Sequence, residues 1–203
     1  MNPPKAVVFD LGKVLLDFDY SIAVNKLLPS CTASMETIRE ILSGSRLHLD
    51  YECGLMSSQE FFEKLRKLTG YTGTFEAFED AFGPIFSAIE PMVDLHQRLK
   101  KADVPLCVFS NTNEIAIHHV RIRFPFFNTF DRFVLSYEHR AMKPDAELYE
   151  EVENELGMVG SDLLYYDDRP ENIQTGIARG WRTVLHETPE ASIAAARSAG
   201  LPV

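Results

Sequence analysis

Short apolar runs alternate with longer helical patterns over most of the chain. The first run, Val7–Phe9, follows two prolines and stops at Asp10, and Gly12 allows a sharp turn directly after it. Further strand-like runs are Val104–Ser110, Phe133–Ser136, Leu163–Asp167 and Thr183–His186, and the helical patterns among them are Pro91–Ala102, a stretch beginning near Thr112–Glu114, Pro144–Leu156, Pro170–Arg179 and Glu190–Ala199. Strands that alternate with helices predict an α/β fold with a Rossmann-like parallel sheet and helices on both of its faces.

Residues 20–88 carry a different pattern, because strand-like runs disappear and helical periodicity takes over. The predicted helices of this segment are Ser21–Leu28, Ala33–Leu42, Ser58–Leu68 and Thr74–Phe86. We therefore predict a small helical cap, residues 20–88, inserted after the first strand. The α/β core then comprises residues 1–19 and 89–203.

Composition narrows the classes of partner. A length of 203 residues suits one α/β domain with an insertion, and no apolar run approaches the roughly 20 residues of a membrane span. The net charge of -10 argues against nucleic acid and against an anionic membrane surface. An anionic small molecule remains compatible with this charge if its site contains a cation. We expect a monomer or a weak dimer.

The three cysteines, Cys31, Cys53 and Cys107, are widely spaced and form no CxxC pair. Three reduced thiols are the simplest interpretation. The N-terminal residues show no signal-peptide pattern. Together these features predict a cytoplasmic protein.

Polar residues follow several of the predicted strands. Asp10 follows the first strand, Ser110–Thr112 ends the second, Asp167 and Asp168 end the run from Leu163, and Lys143 precedes a proline-initiated helix. Each of these segments alone also fits an ordinary cap or turn. Ligands bind at the carboxyl ends of parallel strands, so we expect these groups to converge there. Close aspartates need a cation between them, and all-oxygen ligation suits Mg²⁺ rather than zinc.

Taken together, four ordered segments resemble the motifs of the haloacid dehalogenase (HAD) superfamily: Phe9–Val14, Ser110–Thr112, Lys143–Pro144 and Tyr166–Asp168. The resemblance covers the whole chain, and the cap predicted above matches the one that this superfamily places after the first strand. Asp17 and Asp19, with the segment from Glu52 to Phe61, make the chain most similar to the bacterial α-D-glucose-1-phosphate phosphatase type.

The resemblance implies a phosphatase that hydrolyses a small phosphorylated metabolite, such as a hexose 1-phosphate, through an aspartyl-phosphate. Asp10 would be the nucleophile, and Lys143 would pair with Asp10 and with the phosphate. The Ser110 hydroxyl and the Asn111 backbone would bind phosphate oxygens.

The resemblance also implies a Mg²⁺ site. Its ligands would be Asp10, the backbone carbonyl of Gly12, and Asp168. Asp167 and Asn172 would support the metal through its waters or from behind the ligands.

One position departs from the pattern of the superfamily. Most of its phosphatases carry a second aspartate two residues after the nucleophile as general acid–base, and here that position is Gly12. A positioned acid is worth about 10²–10⁴-fold in rate. Its loss favours leaving groups that depart easily, which agrees with a sugar 1-phosphate. Other candidate donors are Lys13, Asp17, Asp19 and His48, each of which also fits a plain surface or turn residue.

Two alternatives stay open at this point. A 2-haloacid dehalogenase-like hydrolase shares the motif set but needs no metal, so Asp167 and Asp168 argue against it. A non-catalytic phosphometabolite-binding protein would explain Gly12. In the cap, His48, Asp50 and Tyr51 are candidate specificity residues, and the substrate itself cannot be identified from the sequence.

Overall fold

A five-stranded parallel sheet carries the residues that follow the predicted strands. The computed structural model describes residues 2–203. Its strands are β1 (Ala6–Phe9), β2 (Leu16–Phe18), β3 (Phe86–Ala88), β4 (Leu106–Ser110), β5 (Arg132–Leu135), β6 (Leu163–Asp167) and β7 (Arg182–Leu185). The large sheet has the order β5-β4-β1-β6-β7, so β1 lies at its centre.

Helices fill the segments between the strands. They are α1 (Tyr20–Leu27), α2 (Met35–Leu42), α3 (Arg46–Glu52), α4 (Ser58–Thr69), α5 (Phe75–Phe82), α6 (Glu90–Lys101), α7 (Glu114–Arg123), α8 (Ser136–His139), α9 (Ala146–Leu156), α10 (Pro170–Ala178) and α11 (Pro189–Ser198). Within residues 2–203, no helix combines the length and apolar character needed to cross a membrane.

Helices cover both faces of the sheet, and this explains the uninterrupted apolar run of β1. Val7 and Phe9 belong to a buried cluster that includes side chains of α6, α7 and α11. Ala6 and Val8 point the other way, into a cluster with α9 and α10. A strand that is buried on both faces needs apolar residues at every position. The predicted fold class, a parallel α/β sheet between two helical layers, is confirmed.

Helices α1 to α5 pack around a hydrophobic cluster of their own. Buried aromatic residues dominate it, among them Phe61, Phe62, Phe78 and Phe82. The short antiparallel pair β2–β3 joins this region to the sheet, with Phe18 opposite Phe86. We call residues 20–88 the cap, keeping the boundaries predicted from the sequence.

Several local details differ from the prediction, and strands β2 and β3 were not predicted. Helix α3 was not predicted either. The helix predicted to run to Phe86 ends at Phe82, because a 3₁₀ turn at Gly83–Ile85 leads the chain into β3. Pro144 does not begin a helix, since α9 starts at Ala146.

Candidate active site

The carboxyl ends of β1, β4 and β6 form the floor of one cavity of about 340 Å³. Seven of the eight site residues predicted from the sequence line it: Asp10, Gly12, Ser110, Asn111, Lys143, Asp168 and Asn172. The eighth, Asp167, is fully buried and contacts Lys143. The structure therefore brings all of these residues together at the edge of the sheet where they were expected.

Asp10 is a buried carboxylate at the end of the central strand. Its backbone N–H donates to the Tyr166 carbonyl at 2.9 Å, which extends the ladder between β1 and β6. Its Oδ1 accepts from the Leu11 N–H at 2.7 Å and lies 2.9 Å from Lys143 Nζ. Burial raises the pKa of Asp10 to about 7, against the lowering effect of Lys143 and with a further increase from Asp167. Burial is thus the main reason why ionisation of Asp10 is costly, and a cation beside this carboxylate would favour its charged form.

Lys143 is the buried cation of the cavity, whereas Lys13 and Arg169, which also line it, are exposed. Its Nζ lies between Asp10 Oδ1 (2.9 Å) and Asp167 Oδ2 (2.7 Å), and it donates to the Phe109 carbonyl at 2.9 Å. Burial opposes the charged form, but the two carboxylates raise the pKa of Lys143 above its usual value. The ammonium group is thus held charged and fixed in place.

Asp167 fixes the position of the Lys143 side chain. Its Oδ2 accepts from Lys143 and from the Tyr165 hydroxyl. Its Oδ1 accepts from the Arg169 N–H and the Asn172 side-chain amide, both at 2.9 Å. Although burial favours the neutral acid, Lys143 lowers the pKa of Asp167. With both oxygens occupied, this carboxylate is suited to positioning neighbours rather than to binding a ligand directly.

The donor set at this edge fits a hard divalent cation. Asp10, Asp167 and Asp168 each place a carboxylate oxygen so that the three oxygens lie within 4.8 Å of one another. Burial and the neighbouring Asp167 raise the pKa of Asp168. The Oδ1 atom of Asn172 is buried and has no hydrogen-bond partner within residues 2–203. Three carboxylates against one buried lysine, with oxygen donors only, match the preference of Mg²⁺.

Asn111 connects the loop after β4 to Lys143. Its side-chain amide donates to the Lys143 carbonyl at 2.9 Å, and its Oδ1 accepts from the Lys143 N–H at 2.8 Å. Ser110, in the same cavity, is 2% exposed. Because the Asn111 side chain is engaged in this way, Ser110 and the Asn111 backbone are the groups of this loop left to bind an anion.

The cap contributes residues to the cavity that were only partly anticipated. His48 was a candidate, and it is buried there with Nε2 3.2 Å from Glu52 Oε1. Tyr20 packs edge-on against its ring, with the centroids 5.9 Å apart. Glu52 and Tyr20 were missed as site residues. The spacing of His48 and Glu52, four residues apart, was the available signal, but it points to a pair only once α3 is recognised as a helix.

The other two specificity candidates lie outside this cavity. Asp50 pairs with Arg46 at 2.7 Å on the surface of α3. The Tyr51 hydroxyl is hydrogen-bonded to Ser58 Oγ at 2.7 Å and accepts from the Ile115 N–H at 3.3 Å. Tyr51 therefore links the cap to α7, and Asp50 stabilises its own helix.

The position of the missing aspartate, Gly12, faces an aromatic ring. A Cβ atom built on Gly12 would lie 2.9 Å from Cε1 of Phe18. The Phe18 ring thus fills the space into which a side chain at this position would extend.

Asp17 and Asp19 are poor proton donors in this structure. A hydrogen bond from Lys13 lowers the pKa of Asp17, and hydrogen bonds from Ser21 lower the pKa of Asp19. Both carboxylates are exposed and engaged, Asp17 with Lys13 and Asp19 as the N-cap of α1. Groups that are ionised at neutral pH have no proton to give.

Comparisons with known proteins show the family of the chain. Residues 4–180 match the haloacid dehalogenase-like hydrolase family. D-ribitol-5-phosphate phosphatase of Bacteroides thetaiotaomicron is 26% identical over 190 residues, 90% of this chain and 92% of that protein. The sesquiterpene phosphatase astK of Aspergillus oryzae is 24% identical over 179 residues, 87% of this chain and 86% of that protein.

The fold also matches solved structures. A HAD family enzyme from Bacteroides thetaiotaomicron, in complex with magnesium and inorganic phosphate, superposes with a TM-score of 0.75 at 24% identity. The match covers 89% of this chain and 93% of that one. At this identity the likeness shows a shared fold.

Proposed function

Since the chain belongs to the haloacid dehalogenase-like hydrolase family, we propose that it is a magnesium-dependent phosphatase acting on a small phosphorylated metabolite through an aspartyl-phosphate. The predicted superfamily and the predicted enzyme class, a phosphatase-type hydrolase, are confirmed by the family match and the phosphatase relatives. The finer resemblance, to the glucose-1-phosphate phosphatase type, stays a prediction. The relative named D-ribitol-5-phosphate phosphatase suggests a different small substrate, a phosphorylated polyol.

One observation carries the proposal. A buried lysine ammonium lies between two carboxylates, Asp10 and Asp167, and a third carboxylate, Asp168, is close enough to share a metal ion. This arrangement places a nucleophile and a fixed cation at the floor of a cavity that opens to substrate.

Asp10 is the nucleophile in this proposal. Its Oδ1 is engaged by Leu11 N–H and Lys143, so Oδ2 is the oxygen that attacks phosphorus. The new bond joins Asp10 to the phosphoryl group as the bond to the leaving oxygen breaks, and water then hydrolyses the aspartyl-phosphate. Lys143 stabilises the negative charge on the phosphoryl oxygens throughout.

Asp10, Asp168 and the Gly12 carbonyl would hold Mg²⁺, with Asp167 and Asn172 in support. When bound, the ion would add positive charge beside these carboxylates and offset charge on the transferring group. Ser110 and the Asn111 backbone N–H hold phosphate oxygens on the side of β4.

The leaving group faces the cap. Among the cap residues that line the cavity, His48 and Glu52 are polar and largely buried, and Tyr20 offers an aromatic ring; Phe18, which precedes the cap, adds a second ring. An isoprenoid chain is disfavoured, because apolar groups beside Glu52 would leave the oxygen that does not face His48 without a hydrogen bond. Hydroxyl groups of a sugar or polyol satisfy both polar side chains, so a sugar or polyol phosphate is the proposed substrate class.

The test is phosphate release over a panel of sugar, polyol and isoprenoid monophosphates with Mg²⁺. We expect release from members of the first two groups, loss of release with a chelator, and loss in Asp10→Asn. Asp17→Asn, an exposed carboxylate close in sequence, is the matched control and should keep full activity. Release that persists in Asp10→Asn contradicts the mechanism. Thermal stabilisation by sugar phosphates without any release identifies the chain as a binding protein instead, and chelator-independent halide release identifies a dehalogenase.

A further inference from the structure

A histidine–glutamate pair on α3 lies in the same cavity as Asp10 and has no role in the steps above. We propose that His48, in place of the side chain that is missing at position 12, gives a proton to the leaving group, and that Glu52 positions the His48 ring. This role rests on the phosphatase activity proposed above and adds the general acid that this activity lacks.

Position 12 itself offers no substitute. Gly12 has no side chain, and the Phe18 ring stands where one would extend. Lys13 pairs with Asp17 and lies over the Phe18 ring, 4.6 Å from its centroid. Asp17 and Asp19 are ionised and engaged elsewhere, as described above. The cap is therefore the remaining side of the cavity from which a proton can come.

His48 has the environment of a positioned acid. Its side chain is 9% exposed and that of Glu52 15%, with Nε2 and Oε1 3.2 Å apart. Ser45 begins α3 and accepts from the His48 N–H at 3.1 Å, and the edge of Tyr20 confines the ring. A carboxylate on one ring nitrogen fixes the tautomer, so the other nitrogen, Nδ1, is left to exchange the proton. Burial raises the pKa of the Tyr20 hydroxyl, which makes it a weaker donor.

Helix α3 is fastened to the phosphate-binding loop. The Ser136 hydroxyl donates a hydrogen bond to the Glu52 carbonyl at 2.6 Å and accepts one from the Thr112 N–H at 2.9 Å. Thr112 is two residues beyond Ser110. Ser136 thus connects the helix that carries the pair to the loop that holds the phosphate, and such a fixed geometry favours proton transfer.

The proton balance closes over the two steps. As Asp10 attacks phosphorus, the bond from phosphorus to the leaving oxygen breaks. That oxygen takes the proton of the His48 imidazolium, and the leaving group departs as an alcohol. Water then attacks the aspartyl-phosphate, and the proton of this water leaves with the phosphate, while His48 regains a proton from solvent. Phosphate and the Asp10 carboxylate are thereby released.

The experiment compares two leaving groups. The leaving group of an aryl phosphate such as p-nitrophenyl phosphate is a stable phenolate, which needs no proton. The leaving group of the best sugar or polyol phosphate from the panel is an alkoxide, which does need one. His48→Asn should lower kcat on the sugar or polyol phosphate by about 10²–10³-fold. On the aryl phosphate it should change kcat little, and any rise in KM for the sugar or polyol phosphate should be small beside the fall in kcat. His118→Asn, an exposed histidine on α7, is the matched control.

Glu52→Gln tests the positioning role. We expect a smaller fall in kcat, again confined to the sugar or polyol phosphate, and no further fall when it is combined with His48→Asn. If His48→Asn fails to fold, His48→Gln serves in its place.

Equal losses on both leaving groups, or a change in KM alone, overturn the donor role and make the pair a substrate-binding contact. Unchanged kcat on the sugar or polyol phosphate in both His48 variants also overturns it. Failure of the proposed function looks different, because the wild type would then release phosphate from neither substrate.

Discussion

The sheet edge and the cap face the same cavity, but they are built in different ways. At the edge, each polar side chain follows a strand and is held by several contacts; Asp167 alone accepts four hydrogen bonds. The cap is packed around an aromatic cluster and contributes few polar side chains to the cavity. Helix α3 is joined to the core by hydrogen bonds between Tyr51 and Ile115 and between Glu52 and Ser136. The edge therefore fixes the chemistry of phosphoryl transfer, while the contacts to the leaving group depend on how one short helix is attached.

Removing the central cation should have the largest effect. Lys143→Gln leaves Asp10 and Asp167 buried and close together without their shared partner. Breaking a buried ion pair in this way costs about 3–5 kcal/mol. We expect the free energy of unfolding to fall by this amount in chelator, measured by urea denaturation, and phosphate release to fall below detection.

Lys100→Gln is the control for Lys143→Gln, since Lys100 pairs with Asp131 on the surface. Its expected cost is below about 1 kcal/mol. Equal destabilisation by the two substitutions contradicts the account of Lys143 as the cation that the edge depends on.

Most of the edge was predictable because its residues are tied to strand ends. Asp10, Ser110 and Asp167 each end or follow an apolar run, and parallel strands bring their carboxyl ends to one edge. The network around Lys143 was not predictable. Its contacts depend on the register between β1 and its two neighbouring strands and on the amide of Asn111, which no local pattern reveals.

The attachment of α3 can be broken sterically. Gly54 has a positive φ of 67°, and a Cβ there would lie 2.0 Å from the Tyr137 carbonyl oxygen. Gly157 has a similar φ of 62° but nothing within 4 Å of the added Cβ. Gly157→Ala should cost about 1 kcal/mol from backbone strain alone. Gly54→Ala should cost about 2 kcal/mol more and lower kcat, because α3 must move away from the core.

Urea denaturation and steady-state kinetics on both glycine variants give the comparison. If Gly54→Ala matches Gly157→Ala in stability and activity, the cap is attached too loosely for its position to govern catalysis.

The cap was harder to predict, and α3 shows why. Its seven residues, Arg46–Glu52, are too few for helical periodicity to be distinguished, and polar and apolar residues alternate along them. Strands β2 and β3 are three residues each, shorter still. Without α3, His48 was one candidate among several, and Glu52 had no partner to suggest a role.

A smaller effect is expected at the core, away from both regions. His96 is buried, and its Nδ1 has no hydrogen-bond partner within residues 2–203. Burial, with a contribution from Lys100, lowers the pKa of His96 to about 4. Below pH 6.5, His96 binds a proton in the unfolded chain but not in the folded protein, so the free energy of unfolding falls as pH drops from about 6.5 to 4. We expect a loss of up to about 3 kcal/mol from this residue.

His96→Leu should flatten that part of the pH dependence of the free energy of unfolding, and His118→Leu, on the surface, should leave it unchanged. A slope between pH 6.5 and 4 that is identical in wild type and His96→Leu would show that the histidine is not the source.

The most direct test of the central claim is to look for phosphate on Asp10. The enzyme is mixed rapidly with Mg²⁺ and the best substrate from the panel, quenched in acid during turnover, and digested for mass spectrometry. The mechanism predicts a phosphorylated peptide with the modification on Asp10, absent from Asp10→Asn and present in Asp17→Asn. Phosphate on another residue, or turnover by Asp10→Asn at the wild-type rate, contradicts it.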